Sequence, residues 1–227
     1  MLISFGAMFY LIFRKKRQAS KSLAKFRNDL NISLQKFNTP EQKAGMLQSL
    51  IKRIEEDETY KKDEDWKNKV LVCALQPLAA AYYKMGNEAK ALGVCTQIIE
   101  LEPDHIMSHY NRGSMYSDMG MYDKAIKDFD RTIELMPGYA SAYNNRGLVY
   151  EKLQQYDRAI EDYNKAIELE DSPISHFNRA NTYLTMGYKD KALEDYNYYL
   201  QLDPDNNIGL RDEVEEIIVN MKQESQH

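Results

Sequence analysis

Two cysteines in 227 residues cannot build a disulfide framework, and Cys73 and Cys95 stand in no metal-ligand spacing with His105, His109, His176 or His227. A reducing compartment suits such a chain. Six prolines and ten glycines are too few for a linker-rich or fibrous protein. An excess of cations is missing as well. Lys and Arg total 30 against 35 Asp and Glu, and four of the 30 form the block Arg14, Lys15, Lys16, Arg17, so that 26 face 35 from Gln18 onward. This balance argues against nucleic-acid binding, which draws its affinity from neutralised phosphates. No glycine-rich phosphate loop, nucleophile elbow, HExxH or paired Cys/His set occurs. Neither catalysis, a cofactor nor a metal is therefore expected.

The apolar stretch at the start, MLISFGAMFYLIF, stops after residue 13 at the basic block. Thirteen helical residues reach roughly 20 Å, against a hydrocarbon core of about 30 Å. Either with snorkelling flanks in a thinned bilayer or as a span whose true start lies upstream, this stretch predicts a single-pass membrane anchor, and the basic flank places the chain from Arg14 onward in the cytoplasm. The alternative is a soluble structural subunit whose apolar N-terminus packs on a partner.

Residues 18 to 71 form a helical extension. Leu23, Phe26, Leu30 and Phe37 lie near a heptad seam, and Asn38-Thr39-Pro40 ends one helix and starts the next, with Gln42 completing a capping box. Ala44, Leu47, Leu50, Ile51 and Ile54 then mark one apolar face. The charge run Glu55 to Asp65 reads as a solvated helix end and turn.

From Val72 the chain repeats itself every 34 residues, with one residue lost before Pro173, as 72 to 105, 106 to 139, 140 to 172 and 173 to 206. A small residue recurs at Ala79, Gly113, Gly147 and Ala180, with tyrosine three places on. A second small column is Ala91, Ala125, Ala159 and Ala192, followed four places later by Cys95, Phe129, Tyr163 and Tyr196. Leu101, Leu135, Leu169 and Leu202 close each unit. Pro103, Pro137 and Pro204 follow, and only the third copy has Asp171 instead. Small residues at one crossing and large ones around it describe two antiparallel helices that bury a face against their neighbours.

The pattern resembles the tetratricopeptide repeat. That resemblance implies an all-α, right-handed α-solenoid of four helix-turn-helix repeats whose concave face, lined by the first helix of each pair, binds extended peptides or helices of protein partners. Residues 207 to 227 read as a capping helix and tail. Pro77 conflicts with this locally, because it falls inside the first helix of the first copy and should kink or restart it.

Arg112, Arg146 and Arg179 form a column that is Leu78 in the first copy, and Asp128, Asp162 and Asp195 form one that is Val94 there. The two columns switch together, which predicts an ion pair between the helices of each unit; the competing reading sets the arginines against an acidic ligand. Asn111, Asn145 and Asn178 form a further column beside Asn144 and Asn181, interleaved with Tyr110, Leu148 and Phe177. The resemblance points this set into the groove, where carboxamides could pair with a peptide backbone. Alternatively the asparagines only join neighbouring helices. Family members that clamp the acidic tails of heat-shock chaperones use cations on three first helices. The matching places here are Gln76, Ala80, Asn111, Ser141 and Asn145, or Tyr110, Ser114, Asn145, Ile174 and Asn178 one copy later. Neither frame holds a cation, so such a tail is not the expected ligand.

Overall fold

A computed structural model describes residues 19–57 and 63–224, and the described residues form eleven helices. They are α1 (Ala19–Leu34), α2 (Pro40–Glu56), α3 (Glu64–Lys84), α4 (Glu88–Leu101), α5 (Ile106–Asp118), α6 (Tyr122–Leu135), α7 (Ala140–Lys152), α8 (Tyr156–Leu169), α9 (Pro173–Thr185), α10 (Lys189–Leu202) and α11 (Arg211–Glu224). The chain is an all-α solenoid of helix-turn-helix repeats. It divides into two compact units, with the boundary between Arg112 and Gly113 inside α5.

In the first unit, the hydroxyl of Thr39 accepts the Gln42 amide at 3.3 Å, Gln42 Oε1 accepts the Asn38 amide at 3.2 Å, and Pro40 opens α2. Each satisfies a group that a helix start would leave bare. The apolar face of α2, from Ala44 to Ile54, is buried as its spacing requires, and α2 packs on α3. Gln48 Nε2 donates to the Tyr82 hydroxyl at 2.6 Å across that contact. Phe26 and Leu30 are buried on α1, which also meets α3. The first helix of the first repeat starts at Glu64, ahead of Val72, and runs on to Lys84 with Pro77 inside it. The proline therefore neither ends nor restarts this helix. Leu78 and Val94, the apolar counterparts of the arginine and aspartate columns, are both buried.

In the second unit, α7 packs on α8 and α9 on α10, while α8 also packs on α9. Gly147 is required by this packing: a Cβ there would sit 2.7 Å from Tyr163 Cε1, whose ring fills the crossing. The turn between paired helices needs one left-handed residue. Gly120 and Gly187 supply it at φ +70° and +81°, but the third repeat uses Gln154 at +58°. The fourth repeat is closed by α11, whose Val214, Ile218 and Met221 join Phe177, Tyr196 and Tyr199 in one core. Its Asp212, Glu213, Glu215 and Glu216 are exposed, as a terminal helix requires. The buried Asp203 ties the turn before it by accepting the amides of Asn207 at 2.8 Å and Ile208 at 3.0 Å.

One expectation is corrected. Among the described residues no helix is long and apolar enough to cross a membrane, and residues 1 to 13, which carried the single-pass anchor and its cytoplasmic topology, lie outside the described residues. The physical reason is length, since the run falls about 10 Å short of the hydrocarbon core.

Candidate functional site

The arginine column is a ladder that joins helices in two directions. Arg146 on α7 donates through Nε and Nη2 to both oxygens of Asp162 on α8, at 2.8 and 2.6 Å, and through Nη1 to Asp130 on α6 at 2.5 Å. Arg179 on α9 repeats this, holding Asp195 on α10 at 2.7 and 2.6 Å and Asn164 on α8 at 2.6 Å. In the first unit, Arg112 reaches back to Thr96 on α4 at 3.4 Å. Its expected partner, Asp128, belongs to the other unit. Each guanidinium thus grips a carboxylate of its own repeat or a short polar side chain of the preceding one, and Arg146 and Arg179 do both. The backward partners Thr96, Asp130 and Asn164 form a column that sequence reasoning missed because its members share only size and polarity. With all three nitrogens engaged, the charges of Arg146 and Arg179 are already matched by carboxylates inside the ladder.

His176 sits where this ladder ends. Nδ1 lies 2.9 Å from Asp195 Oδ1, and Nε2 lies 2.8 Å from Asp171 Oδ1. Carboxylates accept hydrogen bonds, so an acceptor at each ring nitrogen favours the protonated imidazolium. The bond to Asp195 is the main cause that raises its pKa, against the cost of burial. Burial also works on Asp195, but Arg179 and His176 outweigh it and hold that carboxyl below its ordinary value. The ring stacks on Tyr198 at 5.2 Å. Together with Arg179, Lys191 and Ile167 these residues line a cleft of roughly 680 Å³. The departure from proline at Asp171 was the one sequence signal of this cluster.

The asparagines separate into two kinds. Asn144 and Asn178 are buried, and Asn178 Nδ2 donates to Asn144 Oδ1 at 3.0 Å. Asn144 Nδ2 in turn lies 3.3 Å from Asn145 Oδ1, and Asn145 Nδ2 lies 3.5 Å from Ser114 Oγ. This chain of carboxamides links α5, α7 and α9. Phe177 is 8% exposed and packs on Tyr196 and Tyr199, with ring centroids 6.3 and 5.9 Å away. It is a core residue here and no open anchor, packed into the cluster that α11 completes. Leu148 and Asn181 stay half-exposed on α7 and α9, and in the first unit Tyr110 is half-buried and Asn111 exposed.

Asn181 is oriented: the Tyr196 hydroxyl donates to its Oδ1 at 2.5 Å, leaving its amide nitrogen with no partner among the described residues. Beside it lies a residue that no sequence column announced, since the matching places are Tyr83, Ser117 and Leu184. Glu151 on α7 accepts at Oε2 from the Tyr163 hydroxyl at 3.2 Å, and Thr182 Oγ1 lies 3.1 Å from the same oxygen. Among the described residues no group of three or more His, Cys, Asp or Glu side chains could hold a metal ion.

Residues 75–105, 106–139, 140–172 and 173–206 each match a sequence model of the tetratricopeptide repeat. No curated protein matches the chain. Among solved structures, a thermophilic TPR protein of Thermus thermophilus superposes with a TM-score of 0.58 at 21% identity, covering 80% of this chain and 100% of that one. A MamA fragment from Desulfovibrio magneticus gives 0.57 at 20% identity, over 73% of this chain and 97% of the other. The first TPR of Spaghetti (RPAP3), bound to the HSP90 peptide SRMEEVD, gives 0.50 at 23% identity, over 51% and 93%. At these identities the likeness is one of fold.

Proposed function

This chain belongs to the tetratricopeptide repeat family, and from that premise we propose that it is a non-enzymatic protein-interaction module that takes an extended segment of a protein partner across the first helices of its repeats. The observation that carries this reading is the aim of Asn181. A buried tyrosine fixes its oxygen, so a half-exposed carboxamide presents two N–H donors to the face. A peptide carbonyl placed there regains the hydrogen bond that it loses on leaving water. Leu148 offers apolar contact one helix away. Asn145 borders this face through its link to Ser114, whereas Asn144, Asn178 and Phe177 hold it together from beneath.

The Spaghetti domain shows a related fold holding an acidic peptide. An acidic tail is not the partner proposed here, because neither frame of first-helix positions contains a cation.

The test uses partner capture from a native extract by the full chain, with bound proteins quantified by mass spectrometry and melting measured in parallel. Asn181→Ala should weaken capture about tenfold, the worth of roughly 1.4 kcal/mol, without lowering the melting temperature. Asn178→Ala should do the reverse and reduce stability. If Asn181→Ala leaves capture unchanged, the reading fails.

A further inference from the structure

The second unit, residues 113–227, carries 22 Asp and Glu against 12 Lys and Arg, a net charge of -10. Two of those cations, Arg146 and Arg179, are spent inside the ladder on Asp162, Asp130 and Asp195. The unit as a whole therefore meets a partner with negative charge to spare.

Glu151 concentrates that charge. It stands half-buried in the last turn of α7, the end of a helix where the backbone dipole disfavours an anion. No lysine or arginine among the described residues pairs with it, Lys152 included. Its two hydroxyl partners, Tyr163 and Thr182, are wholly buried and come from α8 and α9, so the carboxylate is held by three packed helices. Both partners converge on Oε2, and Oε1 keeps its lone pairs. The Tyr196 hydroxyl is pushed up to about 12, by burial first and then by the charges of Glu213 and Glu151. That hydroxyl is the one that orients Asn181. A backbone-reading amide and a rigid carboxylate with no cation of its own thus lie on one face.

We propose that the segment bound on this face is basic, and that Glu151 seats a lysine or arginine side chain of the partner at Oε1 while Asn181 holds its backbone. This rests on the peptide-binding reading above. The incoming cation forms a charge-assisted hydrogen bond in a half-dry setting and offsets the helix-end repulsion, a combination worth much more than an exposed ion pair. An acidic segment meets the Glu151 carboxylate instead and is rejected.

The experiment titrates the full chain with three synthetic extended peptides of serine, alanine and leucine that differ only in a central lysine, norleucine or glutamate. The lysine peptide should bind about tenfold more tightly than the norleucine peptide, and the glutamate peptide more weakly than either. Glu151→Gln keeps an oxygen for both hydroxyls and preserves the fold by melting, but it should bring lysine and norleucine to within about twofold of each other, with added salt shrinking the wild-type gap in the same way. Asn181→Ala should weaken all of them alike. Equal binding of lysine and norleucine peptides by the wild type, with both lost in Asn181→Ala, would overturn the basic-partner inference and leave the binding face standing. A lysine preference that survives Glu151→Gln would also overturn it, and failure to bind any of the three would remove the face itself.

Discussion

Replacing Arg146 by leucine strands two carboxylates of very different surroundings. The Asp162 side chain is 7% exposed and loses both of its bonds, while Asp130 is 45% exposed and can turn to water. Removing one member of a buried pair costs about 3 to 5 kcal/mol, and the partial exposure of Arg146 at 18% places this case near 3. Asp162→Val alone leaves the guanidinium with Asp130 and the solvent edge, for a cost of about 1 to 2 kcal/mol. Made together, the two changes recreate the buried Leu78 and Val94 of the first repeat, and only the loss at exposed Asp130 remains, about 1 kcal/mol or less. The double mutant should thus be more stable than Arg146→Leu by about 2 kcal/mol, and the coupling between the two sites, about 3 to 4 kcal/mol, stands well above the usual departure from additivity. Urea midpoints at constant m-value give these numbers, and urea is preferable to guanidinium chloride because it leaves ion pairs unscreened. If the double mutant equals the sum of the singles within about 0.5 kcal/mol, the ladder does not hold the repeats together.

Two further outcomes follow from the same unit. Because the fold raises the pKa of His176, the stability due to its charged form is complete below pH 6.5, the ordinary value, and is lost as pH rises through the higher folded value. Urea midpoints of the wild type should therefore fall as pH rises above 6.5 more steeply than those of His176→Gln, and parallel curves would show the ring to be neutral. At the acid end the sign reverses, since Asp195 is held low and its contribution disappears as pH falls through that depressed value. Gln154→Gly should raise stability by about 0.5 to 1 kcal/mol by relieving a left-handed backbone that the other turns give to glycine, with a higher urea midpoint as the readout; an unchanged or lower midpoint would show the turn to be unstrained.

What the sequence made legible was whatever repeats. The paired helices follow from columns with several members each, and the arginine and aspartate columns announced themselves by changing together to Leu78 and Val94. Thr96, Asp130 and Asn164 went unread because three different side chains do one job there, catching an arginine from the next repeat. Glu151 was illegible for a related reason: its column holds Tyr83, Ser117 and Leu184, so its meaning comes from Tyr163 and Thr182 and from nothing periodic. Phe177 shows the opposite error. Its column suggested a groove contact, but a column assigns every repeat the same neighbours, and the fourth repeat is followed by α11. Val214, Ile218 and Met221 share one buried cluster with Phe177, and the lost residue before Pro173 lets Asn178 bond diagonally to Asn144, thirty-four positions back. Periodicity therefore locates the helices and the pairs inside a repeat, whereas the residues proposed to bind, Glu151 and Asn181, take their meaning from neighbours that no column repeats.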